Sequence, residues 1–212
     1  FGLGRRTGID LPGEDRGRVP DVEWLKREIQ RNAFFADRTG WLPGDDINMS
    51  VGQGNVLVSP LQLATAYSAI ANGGTLWAPR LALKVVEPDG TLVRKIQPRS
   101  TGKLPFTKRQ MDYVRESLRG VVTNGTAAGA FLGFPFSQVS VGGKTGTAEM
   151  PPLQDASWFA AFAPVEHPQY VVVCLVEEGG HGSETAAPVV RRILEGLYGF
   201  GPGELQAGDA VD

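Results

Sequence analysis

The stretch VSVGGKTGTAEM, residues 139–150, sets one lysine among three glycines and two threonines, in a segment otherwise rich in small and β-branched residues. A strand that serves structure alone gains little from Gly142, Gly143 and Gly146, because each gives up side-chain packing and costs backbone entropy. A cation at Lys144, hydroxyls at Thr145 and Thr147 and a bare backbone at Gly146 point instead to a strand that something approaches closely. One chemistry that uses Gly-Lys-Thr is nucleotide phosphate binding. It requires a further glycine five residues before the glycine of Gly-Lys-Thr. That position is Gln138. The residues after Lys144 also continue as strand, so no helix N-terminus is available to receive a phosphate. The phosphate-loop reading is set aside.

The other chemistry is carried by the tripeptide Lys144-Thr145-Gly146. It resembles the Lys-Thr-Gly element of penicillin-interacting serine enzymes, which lies on the sheet strand lining their active site. The resemblance implies a role for each residue. Lys144 supplies a cation for the carboxylate of a D-Ala-D-Ala peptide or a β-lactam and can assist proton movement. Thr145 and Thr147 donate hydroxyls to the same carboxylate. The substrate lies along the strand as an added strand, and Gly146 has no side chain to obstruct it. The Thr147 N–H is then placed for the developing oxyanion, a contribution of about 3 kcal/mol in comparable sites. Three residues alone are a weak signal, since an exposed strand can carry such a trio for structural reasons. The weight therefore falls on the surroundings.

The surrounding pattern supplies a scaffold. From Ser137 the sequence turns to period two, and strands are predicted at about 138–149, 156–164 and 169–178. The links PPLQD and VEHPQ are too short for a parallel crossover, so these strands are antiparallel neighbours. Trp158 and Phe159 are expected in the core of the second strand, the alternative for Trp158 being an outward position lining a groove. A helix over about 184–198 carries Val189, Val190, Ile193, Leu194 and Leu197 to cover one face of the sheet. Ser59-Pro60 is a helix start. Leu63, Tyr67 and Ile70 come next on one face, alanines allow close packing, and Asn72-Gly73 forms the stop. Thr107 and Gln110 form a capping box for a helix with Met111, Val114, Leu118 and Val121 at helical spacing, ending near Asn124-Gly125. A shorter helix opens at Asp21 with Val22, Leu25 and Ile29 on one stripe. A hairpin joins LALKVVE to TLVRKI through Pro88-Asp89-Gly90. Residues 1–20 and 37–58 read as irregular, and the tail from Gly199 as frayed. The fold class is α+β, an antiparallel sheet flanked by helices.

Bulk composition narrows the function classes. The chain has 212 residues, 42% hydrophobic and 21% charged, an ordinary globular balance. A net charge of -2 gives no nucleic-acid footprint. The longest apolar run, YVVVCLV, falls far short of the ~20 residues that span a bilayer. Cys174, inside that run, is the only cysteine and reads as a buried thiol. His167 and His181 stand apart in loop-like contexts, so neither metal nor cofactor is expected. The opening FGLGRRTGIDLPGE has no methionine and no signal pattern, and is expected to continue a longer protein.

Several long segments extend the likeness in order. INMSVGQGNVLVSPLQLATAYSAIANGG, GVVTNGTAAGA, VGGKTGTAEM and WFAAFAPVEHPQYVVVCLVEEGGHGSETAAPVVRRILEGL resemble class B penicillin-binding proteins, especially the elongation type, from Phe1 to about Leu197. FGLGRRTGIDLPGE resembles the stretch just past their second motif. The resemblance implies that residues 1–198 are the C-terminal part of a D,D-transpeptidase domain, with 199–212 a flexible tail. Gly52-Gln53-Gly54 would border the groove, although a tight loop ahead of the helix accounts for it equally. The implied partners are the D-Ala-D-Ala stem peptide, β-lactams and a glycosyltransferase of the elongation machinery. The implied location is the extracytoplasmic face of the bacterial membrane, with the anchor upstream. The family also uses Ser-x-x-Lys for the nucleophile and Ser-x-Asn. No Ser-x-Asn occurs here, and the single Ser-x-x-Lys, Ser100 to Lys103, reads as a solvated loop. The missing motifs and the first strands of the sheet are therefore expected upstream, leaving an unpaired sheet edge at the lysine strand and a fragment that is inactive by itself. Relatives with the same motifs are D,D-carboxypeptidases and serine β-lactamases. The alternative of another class is a non-catalytic β-lactam sensor or structural domain.

Overall fold

A computed structural model describes residues 1–205. Five helices and seven short strands run in the order α1 (Val22–Arg31), α2 (Pro43–Ser50), α3 (Pro60–Ala71), β1 (Thr75–Trp77), β2 (Lys84–Val86), β3 (Leu92–Lys95), β4 (Ser100–Lys103), α4 (Lys108–Thr123), β5 (Gly142–Ala148), β6 (Ala156–Ala163), β7 (Tyr170–Val176) and α5 (Ala186–Leu197). The central sheet is antiparallel in the order β5-β6-β7, so among the described residues β5 and β7 each keep one edge without a neighbouring strand. Its register pairs Lys144 with Ala160, Gly146 with Trp158 and Thr147 with Ser157.

Directly opposed residues share a face of a sheet, and this register assigns the two cores. Phe159, Ala161 and Ala163 meet Ala186, Ala187, Val190 and Leu194 of α5, together with Phe131 and Phe134 from the segment after α4. On the other face Phe162 packs with Ala71, Tyr67 and Ile70 of α3. The helix signals act as read. Ser59 accepts from the Gln62 N–H while the Gln62 side chain accepts from the Ser59 N–H, and Thr107 and Gln110 make the same reciprocal pair. Asp21 caps α1 through the Trp24 N–H.

The structure departs from the sequence reading in four places. Within 37–58, residues Pro43–Ser50 form α2. It has no buried residue and hence no apolar stripe to announce it, and its first turn is held by Asp45, which accepts from the Leu42 N–H at 2.8 Å. Ser100–Lys103 is no loop but strand β4, paired with β1. A strand spreads these two residues over about 10 Å, so the pair cannot act as a nucleophile and its neighbouring base. On α5 only part of the apolar set is covered, for Val189, Ile193 and Leu197 are exposed. The packed chain also continues past 198. The Phe200 N–H donates to Glu195 O at 2.8 Å and its ring packs by Phe134 and Tyr198. Of the tail predicted over 199–212, residues 206–212 lie outside the described residues.

The irregular first twenty residues are fastened by one buried side chain. Gln62 Nε2 donates to Arg5 O at 2.9 Å and to Arg16 O at 2.7 Å. Gly17, at φ +60, leaves room for this, since a Cβ there would sit 2.4 Å from Leu57 O and 2.7 Å from Gln62 Oε1. Arg18 and Leu57 then exchange backbone hydrogen bonds at 2.7 and 2.9 Å. Arg18 Nε adds a bond to Asn55 O at 2.7 Å. The loop of Gly52 to Val58 is thereby held where it can reach the sheet.

Candidate active site

The three glycines of the lysine strand have different causes. A Cβ at Gly142 would lie 2.7 Å from the Phe162 ring, and one at Gly143 would lie 2.7 Å from the Phe159 ring. Those two positions are bare because core aromatics cross the strand, one on each face. Only Gly146 fits the expected close approach. An added Cβ there would meet nothing but Trp158, at 3.2 Å from its Cβ. The opposite face at Gly146 is filled by Gly182, whose own Cβ would fall 2.5 Å from Gly146 O and 2.4 Å from Trp158 O.

The pleat then divides the candidate residues. Lys144 and Gly146 lie on the α3 face with Ala160 and Trp158. Thr145 and Thr147 lie on the α5 face with Phe159 and Ser157. The two sets meet at the open edge. Lys144 is exposed, and its ammonium turns along that edge to donate to Thr145 O at 2.8 Å, with Thr145 Oγ1 at 3.5 Å. Gln53 Nε2 donates to Thr147 O at 3.1 Å. Since the N–H and C=O of one strand residue point to the same side, Thr145 and Thr147 direct their backbone groups outward. Lys144 and Gly146 direct theirs to β6. The edge thus offers the Thr147 N–H beside a cation and hydroxyls.

A cavity of about 410 Å³ opens beside this edge. Gly146, Thr147, Ala148 and Trp158 form one wall, and Gly52, Gln53, Gly54 and Leu63 another. Lys144 does not line it. Trp158 does, and is half-buried, so the core expectation is corrected for it and its groove-lining alternative holds. Phe159 is fully buried, as expected. A second cavity, of about 480 Å³ along α4, is walled by Phe1, Ile70, Phe106, Met111, Tyr113 and Val114 and carries one charged residue, Arg109. It offers no grouping of polar reactive side chains.

Two residues bond to the edge in a way that sequence reasoning did not foresee. Thr126 Oγ1 lies 2.9 Å from Thr145 Oγ1, and nothing in its residue type or spacing marks it. Gln53 was legible only as part of a tight loop beside the groove, and its bond to the strand became visible with the fold. Among the described residues no group of three or more His, Cys, Asp or Glu is gathered that could hold a metal. Cys174 is half-buried in β7, and burial pushes its thiol up from the usual range.

Fold and edge strand together define a class: an α+β domain that presents a Lys-Thr-Gly element on the open edge of its sheet, beside a groove. The model of the penicillin binding protein transpeptidase domain matches residues 1–195, and the chain belongs to that family. The peptidoglycan D,D-transpeptidase MrdA of Salmonella typhimurium is 32% identical over 215 residues, covering 93% of this chain and 33% of that protein. Stage V sporulation protein D of Bacillus subtilis is 32% identical over 206 residues, covering 92% of this chain and 28% of that protein. Among solved structures, Pseudomonas aeruginosa PBP2 in complex with WCK 5153 superposes with a TM-score of 0.76 at 30% identity, covering 97% of this chain and 43% of that one. Helicobacter pylori PBP2, in its complex with MreC, gives 0.74 at 30% identity over 93% of this chain and 34% of that one. The chain spans about a third of the length of the curated relatives it matches.

Proposed function

We propose that this chain is the substrate-edge part of a peptidoglycan D,D-transpeptidase that cross-links stem peptides through a serine acyl-enzyme and is acylated by β-lactams. The observation that carries the reading is the open edge of β5. There Gly146 is bare toward the groove, Thr147 turns its N–H outward, and the Lys144 ammonium lies beside Thr145. In this reading the D-Ala-D-Ala end of the donor peptide pairs with β5 as an added strand. Lys144 and the hydroxyls of Thr145 and Thr147 bind its terminal carboxylate, a set of donors that suits an acceptor-only group. A serine outside this chain attacks the penultimate carbonyl, and the Thr147 N–H stabilises the oxyanion. The C–N bond to the terminal D-Ala breaks, and that residue leaves with a proton on its amine. The amine of a second stem peptide then attacks the ester, forms the cross-link and returns a proton to the serine oxygen.

The Ser-x-x-Lys and Ser-x-Asn elements that this chemistry needs belong, in the proposal, to other residues of the same protein. The elongation-type relatives support a place outside the cytoplasmic membrane, anchored by a segment not in this chain. The proposal includes a role in cell shape beside a glycosyltransferase; the Helicobacter pylori relative is seen in complex with MreC. The test is covalent labelling of the full-length gene product with a fluorescent penicillin. The wild type is expected to label, and Lys144→Ala to lose at least about 100-fold in labelling rate, as removal of one charged transition-state contact does. Labelling of Lys144→Ala at the wild-type rate would overturn the assignment.

A further inference from the structure

We infer that Thr126 is a positioning residue that commits the Thr145 hydroxyl to the substrate carboxylate. The inference rests on the reading of Lys144-Thr145-Gly146 as the carboxylate-binding edge and adds to it a residue from a different element. Thr126 lies just past α4, nineteen positions before Thr145 in the chain, and its Oγ1 stands 2.9 Å from Thr145 Oγ1. Either oxygen could donate across that distance, and the surroundings choose between them. A carboxylate has no proton to give, so it gains only from hydroxyls whose protons point at it. Thr145 has one such proton. Its oxygen already has the Lys144 ammonium, a donor, at 3.5 Å. When a carboxylate is seated, the order Thr126 to Thr145 to carboxylate gives every proton an acceptor. The reverse order leaves the carboxylate facing a bare oxygen. Thr126 as donor therefore fixes the Thr145 rotor and strengthens the outward bond, because chained hydrogen bonds polarise one another.

The loop that carries Thr126 is built to hold it still. The chain leaves α4 through Gly125, where a Cβ would lie 2.8 Å from Val121 Cα and 3.1 Å from Gly120 O. The next residue, Ala127, is fully buried and donates to Val121 O at 3.0 Å. Further along, the buried Arg191 of α5 donates to Ala130 O at 3.0 Å and to Leu132 O at 2.8 Å. Thr126 itself is exposed, so it fills no core space, and its one side-chain contact of note is with the lysine strand.

The experiment measures the second-order rate of acylation by a fluorescent penicillin on the full-length gene product, as wild type, Thr126→Val, Thr126→Ser, Thr145→Val and the double variant Thr126→Val/Thr145→Val. Thr126→Val keeps the side-chain shape and is expected to slow acylation about three- to tenfold, the range of one hydrogen bond, with no change in Tm. Thr126→Ser is expected to restore the rate to within about twofold. The double variant is expected to match Thr145→Val within about twofold, since Thr126 acts only through Thr145. Acylation of Thr126→Val at the wild-type rate would overturn the inference. So would a double variant slower than Thr145→Val by the full Thr126→Val factor. Failure of the wild type to acylate would sink the transpeptidase reading and this one with it, whereas normal wild-type labelling with an indifferent Thr126→Val sinks this one alone.

Discussion

Replacement of Gly182 by alanine tests whether the lysine edge is held from behind by the loop after β7. Gly182 has no positive φ, so alanine meets no backbone penalty there and the whole effect is steric. Its Cβ would arrive 2.4 Å from Trp158 O, 2.5 Å from Gly146 O and 2.8 Å from Gly146 N. All three are backbone atoms of one cross-strand pair, so no rotamer change relieves the contact. Either the loop lifts off the sheet or β5 separates from β6 at Gly146. Lifting strains the anchors beside it, where Ser157 Oγ donates to His181 O at 3.0 Å and accepts from the Ala186 N–H at 3.1 Å. Overpacking of this kind costs about 1–3 kcal/mol, and one lost hydrogen bond about 1 kcal/mol more. The sum of about 2–4 kcal/mol corresponds to a fall in Tm of roughly 4–16 °C for a domain of this size. The assay is a thermal melt of the full-length gene product, with penicillin labelling measured below the transition. Gly129→Ala is the control, since a Cβ there meets nothing within 4 Å. A Gly182→Ala melt within about 1 °C of wild type, a shift that corresponds to less than 1 kcal/mol, would refute the argument. It would mean that the loop does not press on the edge.

The remaining predictions concern α5. Burial raises the Glu195 carboxyl, but hydrogen bonds from Arg191 and Arg192 outweigh it and hold the group below its usual range. A carboxyl lowered by folding contributes stability above its unfolded value of about 4.3 and loses it as pH falls through the lowered native value. The melting temperature of wild type is therefore expected to drop on acidification below about pH 4, and Glu195→Gln to flatten part of that drop. At pH 7 Glu195→Gln leaves the buried Arg191 charge unpaired and is expected to cost about 3 kcal/mol by chemical denaturation. An unchanged midpoint would argue against the pair. Gly196 lies inside α5, exposed, with nothing within 4 Å of an added Cβ. Gly196→Ala is expected to raise stability by about 1 kcal/mol, the helix-propensity difference, and a fall would show an uncounted contact.

Helix starts were legible because a cap is a local event. Ser59-Pro60, Thr107 with Gln110 and Asp21 each declare a helix within four residues. The three strands were legible because period two is local, and short links fixed their antiparallel order. The helix α2 was not, since a short polar helix with no buried side chain has no period to read. The apolar set on α5 was read as one stripe, but which half is covered depends on the sheet beneath it. Gln62 shows the same limit, because its capping role is local while its bonds to Arg5 and Arg16 join segments far apart in sequence.

For the edge itself, the chain alone determined the chemical inventory: a cation, two hydroxyls and a bare position within four consecutive residues, Lys144 to Thr147. Tertiary structure decided which of these act together. It assigned Gly142 and Gly143 to core rings and left only Gly146 for an incoming backbone. It brought Gln53 and Thr126, from loops on either side, to the outward groups of Thr147 and Thr145. The physical reason is range. Residue type and spacing control contacts within a turn or a strand repeat, whereas a hydrogen bond across 94 positions exists only once packing on both faces of the sheet has set where each loop ends.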